Sequence, residues 1–242
     1  MYCYINKEKE TDRVIIFLHL PKSGGTTFND IINQQRQYYP DLCMLGTCNN
    51  NGFYLHLDEL STEEQKRIEI LFGHIFFGIH KQLPQPNFTY ITFLRHPIER
   101  IISSYYFHRE FPNTKDLFQS MTLYDYVTNP DWNYNLWLST ANLQTRMLAG
   151  KIEEDLETAR NNLIRYFSVV GITERYDDSL KVCQKKLGWE INAYEKRHVV
   201  PNRPTLEEIP DEIIEIIKSK NEKDLVLYQF ANQLLDKQIK SI

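Results

Sequence analysis

The segment LPKSGGTTF, residues 20–28, combines the residue types that a phosphate-binding loop needs. It follows a short apolar run and precedes a helical pattern, so its glycines let backbone N–H groups at a helix N-terminus approach an anion. The lysine adds a positive charge, and the threonines add hydroxyl donors. The residues that this pattern predicts to contact an anion are Lys22, Gly24, Gly25, Thr26 and Thr27. An ordinary glycine-rich turn between a strand and a helix is the alternative interpretation.

A second candidate for anion binding follows another apolar run, in TFLRHPIERIISSYY, residues 92–106. Arg95 stands where the predicted strand stops, and Ser103 follows about two turns into the helix that the proline starts. A guanidinium group suits a phosphate monoester because it donates two parallel hydrogen bonds, and a hydroxyl completes the coordination. A salt bridge of Arg95 or Arg100 with Glu99 is equally consistent with the sequence.

Polar side chains also follow two further apolar runs. The run LFGH, residues 71–74, ends in His74, and GITERY, residues 171–176, offers Thr173 and Arg175. Open α/β sheets bind ligands outside the carboxyl ends of their strands, so residues that follow four different strands are expected to meet there. This convergence indicates a single site more strongly than any one segment does.

Four histidines compete for the role of a proton-accepting side chain. His19 falls inside the first predicted strand, which places its side chain in the packing of the sheet. His80 falls beyond a strand, on a helix or loop, and His96 precedes a proline that holds its backbone extended. His74 ends a strand and follows a glycine, which allows a ligand to come close. We therefore predict His74 as the base, with a hydrogen-bonded structural histidine as the alternative.

The pattern of apolar residues predicts the elements that position these groups. Buried strands of a parallel sheet are predicted at Val14–Leu20, Ile70–Phe72, Tyr90–Leu94 and Phe167–Ile172. Amphipathic helices are predicted at Thr26–Gln37, Pro97–Phe107, Glu153–Tyr166 and Ile209–Ile239. Strands that alternate with helices indicate an α/β fold, here a P-loop-like parallel sheet flanked by helices.

The segment at about 109–150 interrupts this alternation and is predicted to be a helical insertion over the sheet. It is rich in aromatic residues, among them Trp132, Tyr134 and Trp137. These rings are suited either to stacking on a sugar or planar metabolite or to forming a small core. Residues 1–242 are predicted to form one domain that includes this insertion.

Composition and charge narrow the function classes. The chain has 242 residues, of which 42% are hydrophobic, and a net charge of −4, which argues against binding to nucleic acid or to a membrane surface. The cysteines, Cys3, Cys43, Cys48 and Cys183, show no zinc-type pairing, so no metal site is predicted. No signal peptide or membrane-spanning run is evident, and we expect a cytoplasmic protein.

The two anion-binding segments together resemble the PAPS-dependent sulfotransferases, where PAPS is 3′-phosphoadenosine 5′-phosphosulfate. PKSGGTTF resembles the 5′-phosphosulfate loop of that family, and RHPIERIISSYYF resembles its 3′-phosphate motif. Later segments are most similar to the carbohydrate branch that includes heparan sulfate 2-O-sulfotransferase, so the resemblance extends from about residue 14 to near the C-terminus. These segments are FGH at 72–74, NLQTRMLAG at 142–150, YFSVVGITERYDD at 166–178 and KDLVLYQFA at 223–231.

The resemblance implies a role for each matching residue. Lys22 would contact the bridging oxygen of the phosphosulfate, and Ser23 to Thr27 would hold the 5′-phosphate. Arg95 and Ser103 would hold the 3′-phosphate, and His74 would be the general base. PAPS would be the co-substrate, without a metal, and the acceptor would be a hydroxyl, with saccharides among the candidates. Golgi members of this branch carry an N-terminal membrane anchor that is not evident here, which favours a cytoplasmic enzyme.

Two other function classes fit parts of the pattern. A P-loop small-molecule kinase would share the sheet and the phosphate loop, but its GxxxxGK[S/T] loop has the lysine after the glycines, whereas Lys22 precedes them. A nonenzymatic protein that binds PAPS or adenosine bisphosphate, such as a sensor, would share every predicted contact with the nucleotide. Magnesium dependence and turnover distinguish the three.

Overall fold

A mainly parallel sheet organises the chain, as seen in a computed structural model that describes residues 3–4, 13–38, 44–46, 57, 60–132, 138–191, 193–195 and 203–242. Within these residues the strands are β1 (Cys3–Tyr4), β2 (Arg13–Leu18), β3 (Met44–Gly46), β4 (Ile70–Gly73), β5 (Asn87–Leu94) and β6 (Phe167–Ile172). They lie in the order β1-β3-β4-β2-β5-β6, and only β1 pairs antiparallel, with β3.

The strands predicted from sequence form the centre of this sheet. Ile16 of β2 pairs with Leu71 of β4 on one side and with Tyr90 of β5 on the other. All three side chains are buried, because helices cover both faces of a parallel sheet. The predicted α/β fold with a parallel sheet is confirmed, but β2 ends at Leu18, so His19 lies beyond the strand and not inside it.

Helices flank the sheet and cover it. Those in the described residues are α1 (Gly25–Gln34), α2 (Thr62–Gln65), α3 (Pro97–Glu110), α4 (Lys115–Gln119), α5 (Leu123–Thr128), α6 (Leu143–Ala149), α7 (Leu156–Tyr166), α8 (Tyr176–Leu187), α9 (Asp211–Lys220) and α10 (Glu222–Lys240). None of these helices has the length and apolar character that crossing a membrane requires.

The predicted single helix at the C-terminus is two helices, because Asn221 interrupts it. Asn221 has a non-helical backbone (φ −127°, ψ 28°) and is buried. Its side-chain amide donates to the carbonyls of Thr140 and Ile217, and its Oδ1 accepts from the backbone N–H of Asn142. These bonds replace helical ones and attach the break to the segment before α6.

The segment at about 109–150 contains the short helices α4, α5 and α6. Phe118 and Tyr126 of this segment pack with Trp132, with ring centroids 5.5 and 5.2 Å from the indole, and with Tyr105 of α3. Trp132 therefore belongs to a small core, as one of the two interpretations predicts. Tyr134 and Trp137 lie outside the described residues.

Candidate active site

The phosphate-binding loop predicted at residues 20–28 connects β2 to α1 by a tight turn. Lys22 has φ +64° and Gly24 has φ +77°, both in the left-handed region, which is uncommon for a lysine. The Gly24 carbonyl accepts a hydrogen bond of 3.0 Å from the Tyr176 hydroxyl. A Cβ at Gly24 would lie 2.9 Å from the Tyr176 ring, so glycine is required there for space as well as for conformation.

His19 and His74 lie side by side at the carboxyl ends of β2 and β4. Their rings are stacked with centroids 4.1 Å apart and planes inclined by 26°. The ring of His19 also lies against Gly25, where an added Cβ would overlap Cδ2 and Nε2 of the ring. The two imidazoles thus connect the start of α1 with the end of β4.

One hydrogen bond fixes the tautomer of His74. Its Nδ1 lies 2.8 Å from the carbonyl oxygen of His19. A carbonyl oxygen only accepts, so Nδ1 carries the proton and Nε2 of the neutral ring carries the lone pair. Burial and the charge of Lys22 lower the pKa of His74 to about 4, although the bond to His19 opposes the shift. His74 is therefore neutral near pH 7, the state that a base requires.

Lys22 is half-buried, with its ammonium group above an aromatic ring. Its Nζ lies 3.7 Å from the centroid of Phe107, a cation–π contact. Burial, followed by the positive charges of Arg95 and Arg203, lowers the pKa of Lys22 to about 7. An anion bound here would favour the protonated form.

Arg95 follows β5 and is tied directly to the loop. Its Nη1 donates to the backbone oxygen of Lys22 at 3.1 Å. Its Nη2 is 3.2 Å from a carboxylate oxygen of Glu99, which also pairs with Arg203. The ion pair with Glu99 that the sequence allowed is therefore present, and it coexists with the position beside the loop. The amide of Gln144 bonds to both the backbone N–H and the carbonyl of Arg95, at 3.0 and 2.9 Å.

Ser103 lies on the face of α3 that borders this site. Glu99, Ser103 and Phe107 follow one another at four-residue intervals, so they share one helix face. Glu99 contacts Arg95, and Phe107 contacts Lys22, which places the buried Ser103 between the two contacts.

The hydroxyls of the loop differ in their surroundings. Ser23 is buried, and its Oγ has no hydrogen-bond partner among the described residues. Thr27 is also buried, whereas Thr26 is exposed. A buried hydroxyl without a partner is costly, and it fits a loop that surrounds an anion when one is bound.

Thr173 and Arg175, which follow β6, differ in their contacts. Thr173 donates to the carbonyl of Leu94 at 3.0 Å and lies beside Gly24. Arg175, in contrast, forms ion pairs with Asp178 and Asp236, the latter at 2.7 Å on α10. Arg175 thus has two carboxylate partners outside the loop, and its part in the site stays a prediction.

The remaining histidine candidates lie elsewhere or have a structural role. His80 stacks on Phe88 with centroids 3.9 Å apart, and its Nδ1 lies 2.9 Å from the Tyr90 hydroxyl. Both partners belong to the first half of β5, whereas Arg95 follows its last residue. His96 immediately precedes α3, and its backbone N–H donates to Glu174 at 2.9 Å.

Several residues of the site were not assigned a role from the sequence. Phe107 could have been found from its four-residue spacing after Ser103 on a predicted helix. Tyr176, Gln144 and Arg203 carry no such signal, because only the folded chain brings them to the loop. His19 was assigned to sheet packing because the strand was predicted to run two residues too far.

Residues 9–231 match the description "Sulfotransferase family". The chain belongs to the sulfotransferase family. This confirms the family predicted from the two motifs.

Two named relatives show the same likeness. A relative named heparan sulfate 2-O-sulfotransferase hst-2, from Caenorhabditis elegans, is 22% identical over 93% of this chain and 79% of its own length. Heparan sulfate 2-O-sulfotransferase 1 of Mus musculus is 24% identical over 74% of this chain and 56% of its own length. The chain thus matches only about half of this mouse relative. The structure of mouse sulfotransferase SULT7A1 complexed with PAP covers 88% of this chain and 64% of its own, with 14% identity and a TM-score of 0.41.

Proposed function

We propose that this sulfotransferase moves the sulfuryl group of PAPS onto a hydroxyl group of a saccharide. The observation that carries the proposal is the meeting of Lys22, His74 and Arg95 at one edge of the sheet. Arg95 bonds to the backbone of Lys22, and the charge of Lys22 contributes to the low pKa of His74. One anion-binding cation, one anchoring cation and one neutral base are the groups that this reaction needs.

The donor would be held by two groups of residues. Lys22 and the loop from Ser23 to Thr27 would bind the 5′-phosphosulfate, and Arg95 with Ser103 would bind the 3′-phosphate. The unpartnered Ser23 hydroxyl and the two glycines at the start of α1 support the first group. Ser103 lies on α3 between Glu99, which pairs with Arg95, and Phe107, which contacts Lys22, and this position supports the second group. Arg203, which pairs with the same carboxylate as Arg95, adds positive charge to this side.

The chemistry assigned to the chain's residues is proton removal and charge stabilisation. The acceptor oxygen forms a bond to sulfur as the bond between sulfur and the bridging oxygen breaks. His74 takes the proton of the acceptor hydroxyl at Nε2, and Lys22 stabilises the negative charge that develops on the leaving oxygen. The sulfuryl group carries less negative charge than a phosphoryl group, so we expect no metal requirement.

A saccharide acceptor is proposed because the named relatives act, by their names, on heparan sulfate. Labelled PAPS incubated with 2-O-desulfated heparan sulfate, and separately with a panel of neutral oligosaccharides, tests this proposal. Incorporation of label into a saccharide, located by mass spectrometry, is the expected result. Label transferred only to non-carbohydrate hydroxyls would overturn the proposed acceptor class.

His74→Ala tests the proposed base. Turnover should fall by about 10²–10⁴, the usual contribution of a general base, while binding of adenosine 3′,5′-bisphosphate stays nearly intact. The matched control is His80→Ala, which removes an equally stacked histidine at the other end of the sheet. Near-normal turnover of His74→Ala would remove His74 from this role. Phosphorylation by ATP and magnesium would instead favour the kinase, and nucleotide binding without any turnover would favour the sensor.

A further inference from the structure

His19 is a buried titratable residue that has no part in the proposed chemistry, yet it lies between two parts of the site. One contact of its ring is with the imidazole of His74, at 4.1 Å between centroids. Another is with Gly25, the first residue of α1. Its carbonyl oxygen also accepts the hydrogen bond from Nδ1 of His74. Both the backbone and the side chain of His19 therefore act on His74.

We propose that His19 is a positioning residue that holds the base His74 in register with the phosphate-binding loop. The proposal rests on the proposed function, since it takes His74 as the base. The carbonyl of His19 selects the tautomer of His74 and the stacked ring fixes the plane of that imidazole. The contact of the same ring with Gly25 sets the distance between the base and the N-terminus of α1, where the loop would bind the anion.

Packing alone does not account for an imidazole at this place. Nδ1 of His19 is buried and has no hydrogen-bond partner among the described residues, which costs stability relative to an apolar side chain. Phe17, which stacks on His19 at 5.4 Å, shows that hydrocarbon rings are available in this part of the core. The flat, narrow ring is required by Gly25, whose missing Cβ leaves the space that the ring occupies.

The electrostatic surroundings keep His19 neutral beside His74. Burial, then the neighbouring His74 and Lys22, lower the pKa of His19 well below its ordinary value. The titratable or charged groups around His74 include His19 at the end of β2 and Lys22 in the loop. His19 therefore does not compete for the acceptor's proton, and its ring excludes water from one face of the base.

The first experiment compares His19→Ala with His19→Gln through the pH dependence of kcat/KM. In His19→Ala, water enters beside His74, so the acid limb of the profile should move from near pH 4 toward the ordinary histidine value of about 6.5. Turnover should fall about 10- to 100-fold because the base is no longer held in place. His19→Gln fills the space with a planar group that cannot titrate, so it should restore most of the turnover and the low acid limb.

The second experiment tests the contact with Gly25 without any turnover. Gly25→Ala should lower the melting temperature strongly in the wild-type background, because the new methyl group meets the ring of His19. In the His19→Ala background, the same substitution should lower it much less. Equal effects in the two backgrounds would overturn the contact on which the proposal depends.

A third measurement separates failure of this proposal from failure of the proposed function. NMR of 15N-labelled histidine reads the tautomer and pKa of His74 directly, so it does not require PAPS turnover. We expect the pKa of His74 to rise in His19→Ala, to stay low in His19→Gln and to be unchanged in the control His80→Ala. An unchanged pKa and acid limb in a folded His19→Ala protein would reduce His19 to a packing residue. Wild-type protein that binds nucleotide but transfers no sulfuryl group would refute the proposed function instead.

Discussion

Lys22 combines two unfavourable conditions for a lysine, a left-handed backbone and burial of its ammonium group. Its pKa of about 7 lies well below the usual value for lysine because burial and two nearby arginines disfavour the charged form. The contact with Phe107 recovers part of this cost. Such unfavourable placements persist where function needs them. A poorly solvated ammonium group attracts a bound anion more strongly than a fully hydrated one does.

Lys22→Met should stabilise the unliganded protein while abolishing turnover. The lysine pKa is lower in the folded protein than in the unfolded chain, so the burial cost is complete below about pH 7. As pH rises from about 7 toward the unfolded value of about 10.4, the cost disappears. The gain in melting temperature over wild type should therefore be largest at pH 6 and shrink steadily up to pH 10. Lys181→Met, which removes an exposed lysine paired with Asp178, is the control and should show no such trend.

Replacing Lys22 and Arg95 by alanine should affect different steps, turnover in the first case and donor binding in the second. Charge builds on the leaving oxygen mainly in the transition state, so Lys22→Ala should lower turnover more than it weakens donor binding. The 3′-phosphate does not change its charge in the reaction, so Arg95→Ala should chiefly weaken donor binding. Donor affinities by calorimetry and turnover rates with saturating PAPS decide between them. If Lys22→Ala raised only the dissociation constant for PAPS and left turnover unchanged, the catalytic role of Lys22 would be contradicted.

At the scale of elements, helix α6 fixes the backbone around Arg95. Asp224 of α10 is fully buried and accepts hydrogen bonds from the backbone N–H groups of Gln144 and Thr145, at 3.1 and 2.7 Å. A carboxylate at a helix N-terminus satisfies groups that have no partner within the helix. Gln144 then bonds to the backbone of Arg95. The C-terminal helix is thereby linked to the anion site through Gln144 and Arg95.

Asp224→Asn should lower the free energy of unfolding by about 2–4 kcal/mol. The amide nitrogen of asparagine cannot accept a hydrogen bond, so one buried backbone N–H group loses its acceptor. Gln144→Ala should weaken binding of adenosine bisphosphate while costing less stability, since it removes only the contact with Arg95. Urea unfolding and calorimetric titration measure the two effects. Asp236→Asn, on the same helix but half-exposed in an ion pair with Arg175, should change stability by less than about 1 kcal/mol. A comparable loss in both aspartate variants would refute the capping role.

The sequence predicted the central elements well because their signals are local. The apolar runs of β4, β5 and β6 and the proline that begins α3 are visible without any tertiary information. The short strands β1 and β3 were missed, since two or three residues carry no periodicity. Asn221 reads as an ordinary helix residue, and only its bonds to distant residues reveal the break between α9 and α10.

At the scale of the whole molecule, nucleotide binding should stabilise the protein without a divalent metal. Adenosine 3′,5′-bisphosphate at about 100 times its dissociation constant adds about 2.7 kcal/mol to the free energy of unfolding by linkage. Adenosine 5′-phosphate lacks the group assigned to Arg95 and Ser103, so its shift in melting temperature should be clearly smaller. Equal shifts would remove these two residues from their role. A shift that requires magnesium would favour the kinase.

The predictions of family, fold, site and location differ in how far local sequence could support them. The family and the α/β fold followed from two motifs that each join a strand to a helix. The roles of Lys22, His74, Arg95 and the other site residues stay predictions, as do the single domain and the cytoplasmic location. The ion pairs of Arg175 and Arg203 depend on side-chain directions, which a strand-end argument does not provide.

The order of the strands also has a consequence for synthesis on the ribosome. β2 lies between β4 and β5, and both partners follow it in the chain by more than fifty residues. At ribosomal speeds, the apolar segment RVIIFL waits about 4–15 s before β5 is complete. Local contacts form first and such distant pairings form late, so at least one edge of this apolar strand stays unpaired in the nascent chain throughout this interval. Chaperone supply and translation rate should therefore limit the soluble yield of this protein more than the stability of its finished fold does.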